Sequence, residues 1–350
     1  MARATIDDVA RAAGVSTFTV SRAMRGKEHV AAATRAKVLK AAQELNYTAS
    51  RSAASLASGR TNRVALLSRE RISGWFIGEL MEGLVDVLAP AGYDLTIYRI
   101  GSAEERSGFF TNLPANRNAD ALVVTGFAVN DDEKRALTRM NMPIVSVNAS
   151  DLTYCQASIV IDDEGSEASV VRYLAALGHR RFCYVGRLDP LTGDDWGFDA
   201  RTRGYQDEVT ELGLHDCGMF FVDATDRASI RQTLASILAL PERPTAMCVW
   251  SDQLAVVILN VLRAMGVRVP QDISVFGFDG SDAAATVGLS TMTQPARRIG
   301  RLAAQRALTL IDGKTPEETH TVVPTALEPG STAGPAPRTA EPTALRVGFG

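Results

Sequence analysis

A chain of 350 residues, 46% of them hydrophobic, is long enough for two or three domains with sizeable cores. It has no apolar run near the roughly 18 residues that span a bilayer, its polar N-terminus enters a helix at once, and its four cysteines lack metal-type or disulfide-type spacing. The net charge of −3 hides a split, because residues 1–60 hold ten basic and four acidic side chains, a balance of +6, leaving −9 for the remaining 290. These features argue for a cytoplasmic protein with reduced core thiols, no signal peptide, no membrane contact and no metal. A basic head on an acidic body suits a nucleic-acid-binding module joined to something that does not touch phosphate.

Taken in order, Thr5 caps a first helix and Asp8, three residues on, completes a capping box. Ile6, Val9, Ala10 and Ala13 form its apolar face, and Gly14 stops it with a left-handed turn. Ser16 caps a second short helix, with Val20 and Met24 inward and Thr17, Phe18, Ser21 and Arg22 outward. Two short helices joined by a tight glycine turn are a helix-turn-helix, whose second helix enters the major groove. A third helix is predicted from Thr34, with Val38, Leu39, Ala42 and Leu45 on one face. Residues 48–61 are rich in Ser and Ala; composition makes them a linker, and Arg51, Ala53 and Leu56 are spaced as on a short helix that needs outside packing to form.

From Asn62 onward short apolar runs alternate with amphipathic segments. Ten strands are predicted, at 62–68, 95–99, 121–125, 143–147, 158–161, 182–186, 218–222, 246–250, 274–278 and 291–294, with eight helices between and after them. Such alternation means parallel sheets with helices on both faces, and ten strands exceed one comfortable sheet, so two α/β lobes are expected. Ligands in such sheets bind outside the carboxyl ends of the strands, in a cleft where two lobes face each other. Residues 331–350, dense in Pro, Gly, Ala and Thr, read as a poorly ordered tail. There is no Gly-rich phosphate loop, G-x-S-x-G or HExxH, and His29, His179, His215 and His320 are far apart, so neither an enzyme nor a cofactor is expected; His179 reads as a helix cap.

Several segments together resemble the lactose-repressor (LacI/GalR) family of bacterial transcription regulators, from about residue 4 to about 325. They are TIDDVARAAGVSTFTVSR, TRAKVLKAAQELNY and R-x-A-x-x-L at Arg51, Ala53 and Leu56; then LGHRRFCYVG, R-x-x-GY at Arg201 to Tyr205, WSDQLA, DISVFGFDG and LSTMTQP. The resemblance implies an all-α helix-turn-helix head (1–48), a hinge segment (49–61), a two-lobed α/β core like that of periplasmic sugar-binding proteins (62–328) and a tail (329–350). It implies a homodimer that binds a pseudo-palindromic operator as a repressor, with a hinge that orders on DNA and a small effector, a sugar or derivative, in the cleft. A nucleobase or sugar phosphate acting as corepressor, or an activator role, stays open.

On that basis the DNA-facing set is Thr5, Ser16, Thr17, Phe18, Thr19, Ser21, Arg22, Arg25, His29, Thr34, Arg51, Ala53 and Leu56. Phe18 can make only apolar base contact, such as with a thymine methyl, while Arg22 can reach a guanine edge or a phosphate. Hydroxyls at Thr5, Ser16 and Thr34 suit phosphate contact or capping. Leu56 suits a minor-groove wedge. The sequence departs from the family's Asn after the second helix and its Pro-Asn before the hinge, holding Arg25, Ala49 and Ser50 instead. The effector set carried over is Phe76, Thr125, Asn148, Arg201, Ser251 and Asp279. Arg201 and Asp279 suit a polyhydroxylated ligand, or bridge the lobes as a salt bridge. Trp75 and Trp250 suit stacking on a sugar or packing. Arg69 and Arg71 suit an anionic ligand or simple exposure.

Overall fold

The computed structural model describes residues 4–24, 30–47, 60–149, 151–188 and 200–337. The head has helices α1 (Ile6–Ala13), α2 (Thr17–Met24) and α3 (Ala32–Glu44) around a small core in which Val9, Val20 and Val38 are fully buried. The capping box forms: Asp8 N–H donates to Thr5 Oγ1 at 3.4 Å, and Thr5 N–H donates to Asp8 Oδ2 at 2.9 Å. The Thr5 N–H and then the Thr5 hydroxyl, which donates to Asp8 Oδ2 at 2.7 Å, hold the Asp8 carboxyl below its ordinary value. Gly14 takes φ 68°, the left-handed conformation its position requires. Two expectations are corrected. α3 starts at Ala32 and has no side-chain cap, so Thr34 sits inside the first turn. Leu39 and Leu45 are 48% and 37% exposed, because Leu39 lies about 100° around from the buried Val38 and Leu45 is the C-cap residue, past the last helical turn.

The core holds two parallel sheets of the same strand order. In the first lobe β1 (Arg63–Ser68), β2 (Asp94–Arg99), β3 (Ala121–Thr125), β4 (Ile144–Val147) and β5 (Ala157–Val160) are arranged β2-β1-β3-β4-β5. In the second β6 (Arg181–Arg187), β7 (His215–Val222), β8 (Ala246–Val249), β9 (Ser274–Asp279) and β10 (Ser290–Thr293) are arranged β7-β6-β8-β9-β10. Two strands of three residues each were not legible in the apolar pattern: β11 (His320–Val322) extends the first sheet beside β5, and β12 (Ala326–Glu328) pairs antiparallel with β10. The first lobe carries α4 (Trp75–Leu88), α5 (Ala103–Asn112) and α6 (Asp131–Arg139), and the second α7 (Asp163–Ala176), α8 (Ala200–Glu211), α9 (Arg227–Leu238), α10 (Asp252–Ala264) and the unpredicted α11 (Asp282–Val287). Helix α12 (Ala296–Ile311) follows β10 of the second lobe yet packs on α4 and the first sheet. The chain therefore crosses between lobes three times, after β5, after β10 and between β11 and β12.

Where α4 meets α12 the backbones touch. A Cβ on Gly83 would lie 2.0 Å from the Arg297 carbonyl oxygen, and one on Gly300 would lie 2.2 Å from that of Leu80. At the rim of this crossing Asp86 accepts from Arg297 Nε and Arg301 Nε, both at 2.9 Å, and the two guanidiniums, Arg297 first, lower its carboxyl to about 2. The chain enters the core pinned at its first residues: Asp120 accepts the Thr61 and Asn62 N–H groups at 2.7 and 2.8 Å, and Arg60 donates to Asp312 at 3.1 Å.

Residues 331–337, expected to belong to a poorly ordered tail, are tied to the second lobe. Thr332 is buried, its hydroxyl donating to the Val275 carbonyl and accepting the Ser290 N–H, both at 2.8 Å. Gly334 O accepts from His179 Nε2 at 3.0 Å, and Thr245 Oγ1 lies 2.9 Å from Nδ1. His179 is thus a fully buried tie between strand edge and C-terminal segment rather than a helix cap, and burial lowers its pKa. The cysteines are free thiols, Cys183 and Cys248 buried, Cys155 and Cys217 half-buried. Among the described residues no helix is long and apolar enough to cross a membrane, and no cluster of His, Cys, Asp and Glu could hold a metal.

The helix crossing gives a direct test. Gly83→Ala or Gly300→Ala forces backbone apart in a packed core and should cost about 1–3 kcal/mol, lowering the unfolding midpoint by several degrees, whereas Gly78→Ala on the same helix, with open space around its Cβ, should not. Thermal unfolding of the three variants checks this.

Candidate DNA-reading face and interlobe cleft

Helix α2 presents a compact outward face. Thr17 and Phe18 are exposed, Phe18 by 66%, and the Arg22 guanidinium lies over the Phe18 ring at 5.5 Å. The pair presents an apolar ring and a cation side by side on the outward face. Ser16 caps α2, its Oγ accepting the Thr19 N–H at 3.2 Å and lying 2.9 Å from Thr19 Oγ1. The Ser16 and Thr5 oxygens are therefore engaged in caps already. Ser21 and Thr34 are half-buried. Arg25, His29, Arg51, Ala53 and Leu56, with the Ala49–Ser50 departure, lie outside the described residues.

The second candidate site is a cavity of about 490 Å³ between the carboxyl ends of the two sheets. All six carried-over residues line it, three from each lobe. Phe76 comes from the first turn of α4, Thr125 from the end of β3 and Asn148 from just past β4. Facing them are Arg201 on α8, Ser251 as the cap of α10 and Asp279 at the end of β9. Asn148 (φ 52°) and Asp279 (φ 134°) both hold left-handed backbone, strain that clusters where side chains must be aimed.

Inside, the polar groups divide into engaged and orphaned. Arg201, 8% exposed, donates from Nε to Asp163 Oδ1 at 2.7 Å and from Nη1 to the Trp250 carbonyl at 2.8 Å, with its guanidinium 3.6 Å above the Phe278 ring. The alternative of an interlobe salt bridge between Arg201 and Asp279 is not what forms. Both residues belong to the second lobe, and Arg201 pairs with Asp163, which opens α7 directly after the first crossover. Asp279 instead accepts from Gln294 Nε2 at 2.6 Å. Burial pushes its carboxyl up to about 7 against the opposing pull of the Arg201 charge, and the Asp252 charge adds to the rise. Ser251 spends its oxygen on the Leu254 N–H at 3.4 Å. Three buried oxygens lack any protein partner: Thr125 Oγ1, Asn148 Oδ1 and Gln294 Oε1. Buried polar atoms without partners are costly, which makes them the groups a ligand would satisfy.

Among the residues of this cavity that the sequence did not mark as ligand-facing are Gln294, Glu70 and Arg187. Gln294 stands in LSTMTQP, directly after β10. Glu70 lies between Arg69 and Arg71, which drew attention by charge although neither lines the cavity, and Arg71 is exposed. All three follow or close a strand, and strand-end position was the signal available. Trp250 also lines the wall, but its ring carries the Arg187 guanidinium at 4.1 Å, so packing rather than open stacking is its part here.

The raised Asp279 carboxyl has a sign that can be checked. A carboxyl whose pKa rises on folding favours the folded state only while protonated, so its contribution falls as pH climbs from about 4 through about 7. Asp279→Asn removes that loss; relative to the parent chain it should be more stable at pH 8 than at pH 5. Equal differences in unfolding midpoint at the two pH values would contradict it.

Comparison with known proteins places this geometry. Residues 5–50 match the model for bacterial regulatory proteins of the lacI family, and residues 171–333 match the periplasmic binding protein-like domain. The HTH-type transcriptional repressor PurR of Vibrio atlanticus (strain LGP32) is 29% identical over 320 residues, 90% of this chain and 94% of that protein. Catabolite control protein A of Priestia megaterium is 27% identical over 329 residues, 93% and 97% of the two chains. Among solved structures, the lac repressor dimer bound to operator and the anti-inducer ONPF superposes with a TM-score of 0.82 at 25% identity, covering 95% of this chain and all of that one. The transcriptional regulator CelR in complex with cellobiose gives 0.67 at 26% identity, covering 94% of this chain and all of that one. With the head matching at one end, the binding-protein core at the other and relatives spanning nearly the whole length, this chain belongs to the LacI/GalR family of DNA-binding transcriptional regulators.

Proposed function

We propose that this protein is a homodimeric repressor that reads a pseudo-palindromic operator through Thr17, Phe18 and Arg22, and that a neutral, polyhydroxylated effector of the sugar class controls it from the cleft. The exposed Phe18–Arg22 pair on α2 supports the first part, offering an apolar surface for a base methyl and a fork donor for a guanine or phosphate. The dimer rests on the lac repressor relative, whose solved form is a dimer on operator.

The single observation that carries the effector reading is the set of orphaned oxygens. Thr125 Oγ1, Asn148 Oδ1 and Gln294 Oε1, together with the Asp279 carboxyl, call for a ligand rich in donors, and hydroxyl groups supply them. Both arginines of the wall are paired with carboxylates, Arg201 with Asp163 and Arg187 with Glu70, so a phosphate would have to compete for them. The Trp250 and Phe278 rings carry guanidiniums rather than open faces, which disfavours a flat nucleobase. The complex of CelR with cellobiose agrees with this class, and a nucleobase or sugar phosphate acting as corepressor is the second reading. Whether effector binding releases DNA or promotes binding depends on which state it favours.

Two measurements test these parts separately. Arg22→Ala should weaken binding to a selected operator duplex about 10- to 100-fold, the range of one good base contact, without changing dimerisation; unchanged affinity would remove α2 from the interface. Thermal-shift screening of the full chain should give its largest rise with a neutral sugar, and Gln294→Ala should abolish that rise. A nucleobase or sugar phosphate giving the largest rise would overturn the effector class while leaving the DNA reading untouched.

A further inference from the structure

One ion pair in the cleft joins groups from opposite lobes. Arg187, the last residue of β6 in the second lobe, donates from Nη1 to Glu70 Oε2 at 3.3 Å and from Nη2 to Glu70 Oε1; Glu70 lies just beyond β1 of the first lobe. The two side chains are only 17% and 24% exposed, so the pair is shielded far more than a surface bridge, and its two-pronged geometry fixes direction as well as distance. Each partner is held in place from its own side. The Arg187 guanidinium carbon lies over the Trp250 ring, 4.1 Å from its centroid. Glu70 has its backbone N–H bonded to Ser68 Oγ at 3.1 Å, and its stem fills the space left by Gly126, where a Cβ would meet Glu70 Cγ at 3.1 Å and φ is +84°. Side chains that merely happened to meet across a gap would not need this support.

We propose that Glu70 and Arg187 form a clasp that sets the angle between the lobes, and that the strength of this pair tunes operator affinity. Lobe angle is the variable that a two-lobed regulator transmits to its DNA-binding end, and a partly dehydrated ion pair made in one arrangement and broken in another gives those arrangements different free energies. Both residues of the clasp line the cavity that also holds Asp279 and Gln294, so a ligand bound there meets a cleft already drawn together by the protein's own charges. It uses neither the orphaned oxygens nor Asp279, and it holds whichever effector class occupies the site.

The test uses the full chain, small-angle scattering and binding to a duplex selected by the parent protein from a random-sequence pool. Glu70→Gln keeps the shape and removes the charge. It should enlarge the radius of gyration at moderate ionic strength and change operator affinity about fivefold or more, the scale of a typical coupling between sites. Arg187→Gln should shift affinity in the same direction by a similar factor. The swapped double variant Glu70→Arg with Arg187→Glu should recover most of both effects, which loss of fold at either position could not produce. Gly126→Ala, which displaces Glu70 without removing its charge, should behave like Glu70→Gln. Scattering or operator affinity left unchanged by Glu70→Gln, or a swapped variant no better than the singles, would overturn the proposal.

Discussion

The constraint on which this architecture depends is the triple passage of the chain between lobes at one edge. Two sheets of identical strand order could be joined by a single linker and drift freely. Three crossings, after β5, after β10 and between β11 and β12, restrict the lobes to hinge-like motion about one line and keep the carboxyl ends of both sheets facing each other. Every polar group of the cleft is positioned by that arrangement, because strand ends are where side chains leave the sheet toward the gap. The first crossover also delivers Asp163 to Arg201, so a residue at the very base of the hinge sets the orientation of a side chain in the cavity wall.

Charge is distributed within the cleft so that no strong group is left bare while the weaker acceptors are. Arg201 and Arg187 are each matched to a carboxylate from a different element, and Asp252, fully buried, accepts the Ser281 N–H at 2.7 Å and the Thr291 hydroxyl at 2.6 Å. Desolvated charges demand such partners, whereas an amide oxygen or hydroxyl costs much less to leave waiting. The result is a pocket whose rigid part is ionic and whose receptive part is neutral. Asp279 stands between these two, a carboxyl that burial raises to about 7.

The lobes were legible because a two-face parallel sheet writes near-continuous apolar strands, as in Val64–Leu67 and Ala246–Val249, all buried. β11 and β12 were not, since three residues with exposed ends carry no such signature. In α3 apolar spacing pointed at Leu39 and Leu45, but Leu39 lies about 100° around from Val38 and Leu45 stands at the C-cap, past the last helical turn. Motif residues such as Thr125, Asn148, Arg201 and Asp279 could be named and do converge on one cavity. What escaped was pairing. Glu70 and Arg187 are 117 positions apart, and nothing local to either marks the other; His179 and Gly334 are likewise 155 apart. Long-range polar partners depend on topology, and topology is the last thing a linear pattern reveals.

The path of α12 has a consequence for synthesis. The first lobe lacks its α4 partner until residues 296–311 exist and its edge strand until 320–322, while the second lobe waits for residues 326–334 to close β10 and bury His179. During translation the head can fold early, but both lobes must be completed almost together and late. Gly83 and neighbouring apolar positions on α4 would stay uncovered for some 200 residues of elongation. A chain halted near residue 295 would therefore carry an intact DNA-reading head on two unfinished lobes, able to touch the operator but with no whole cleft to report to it.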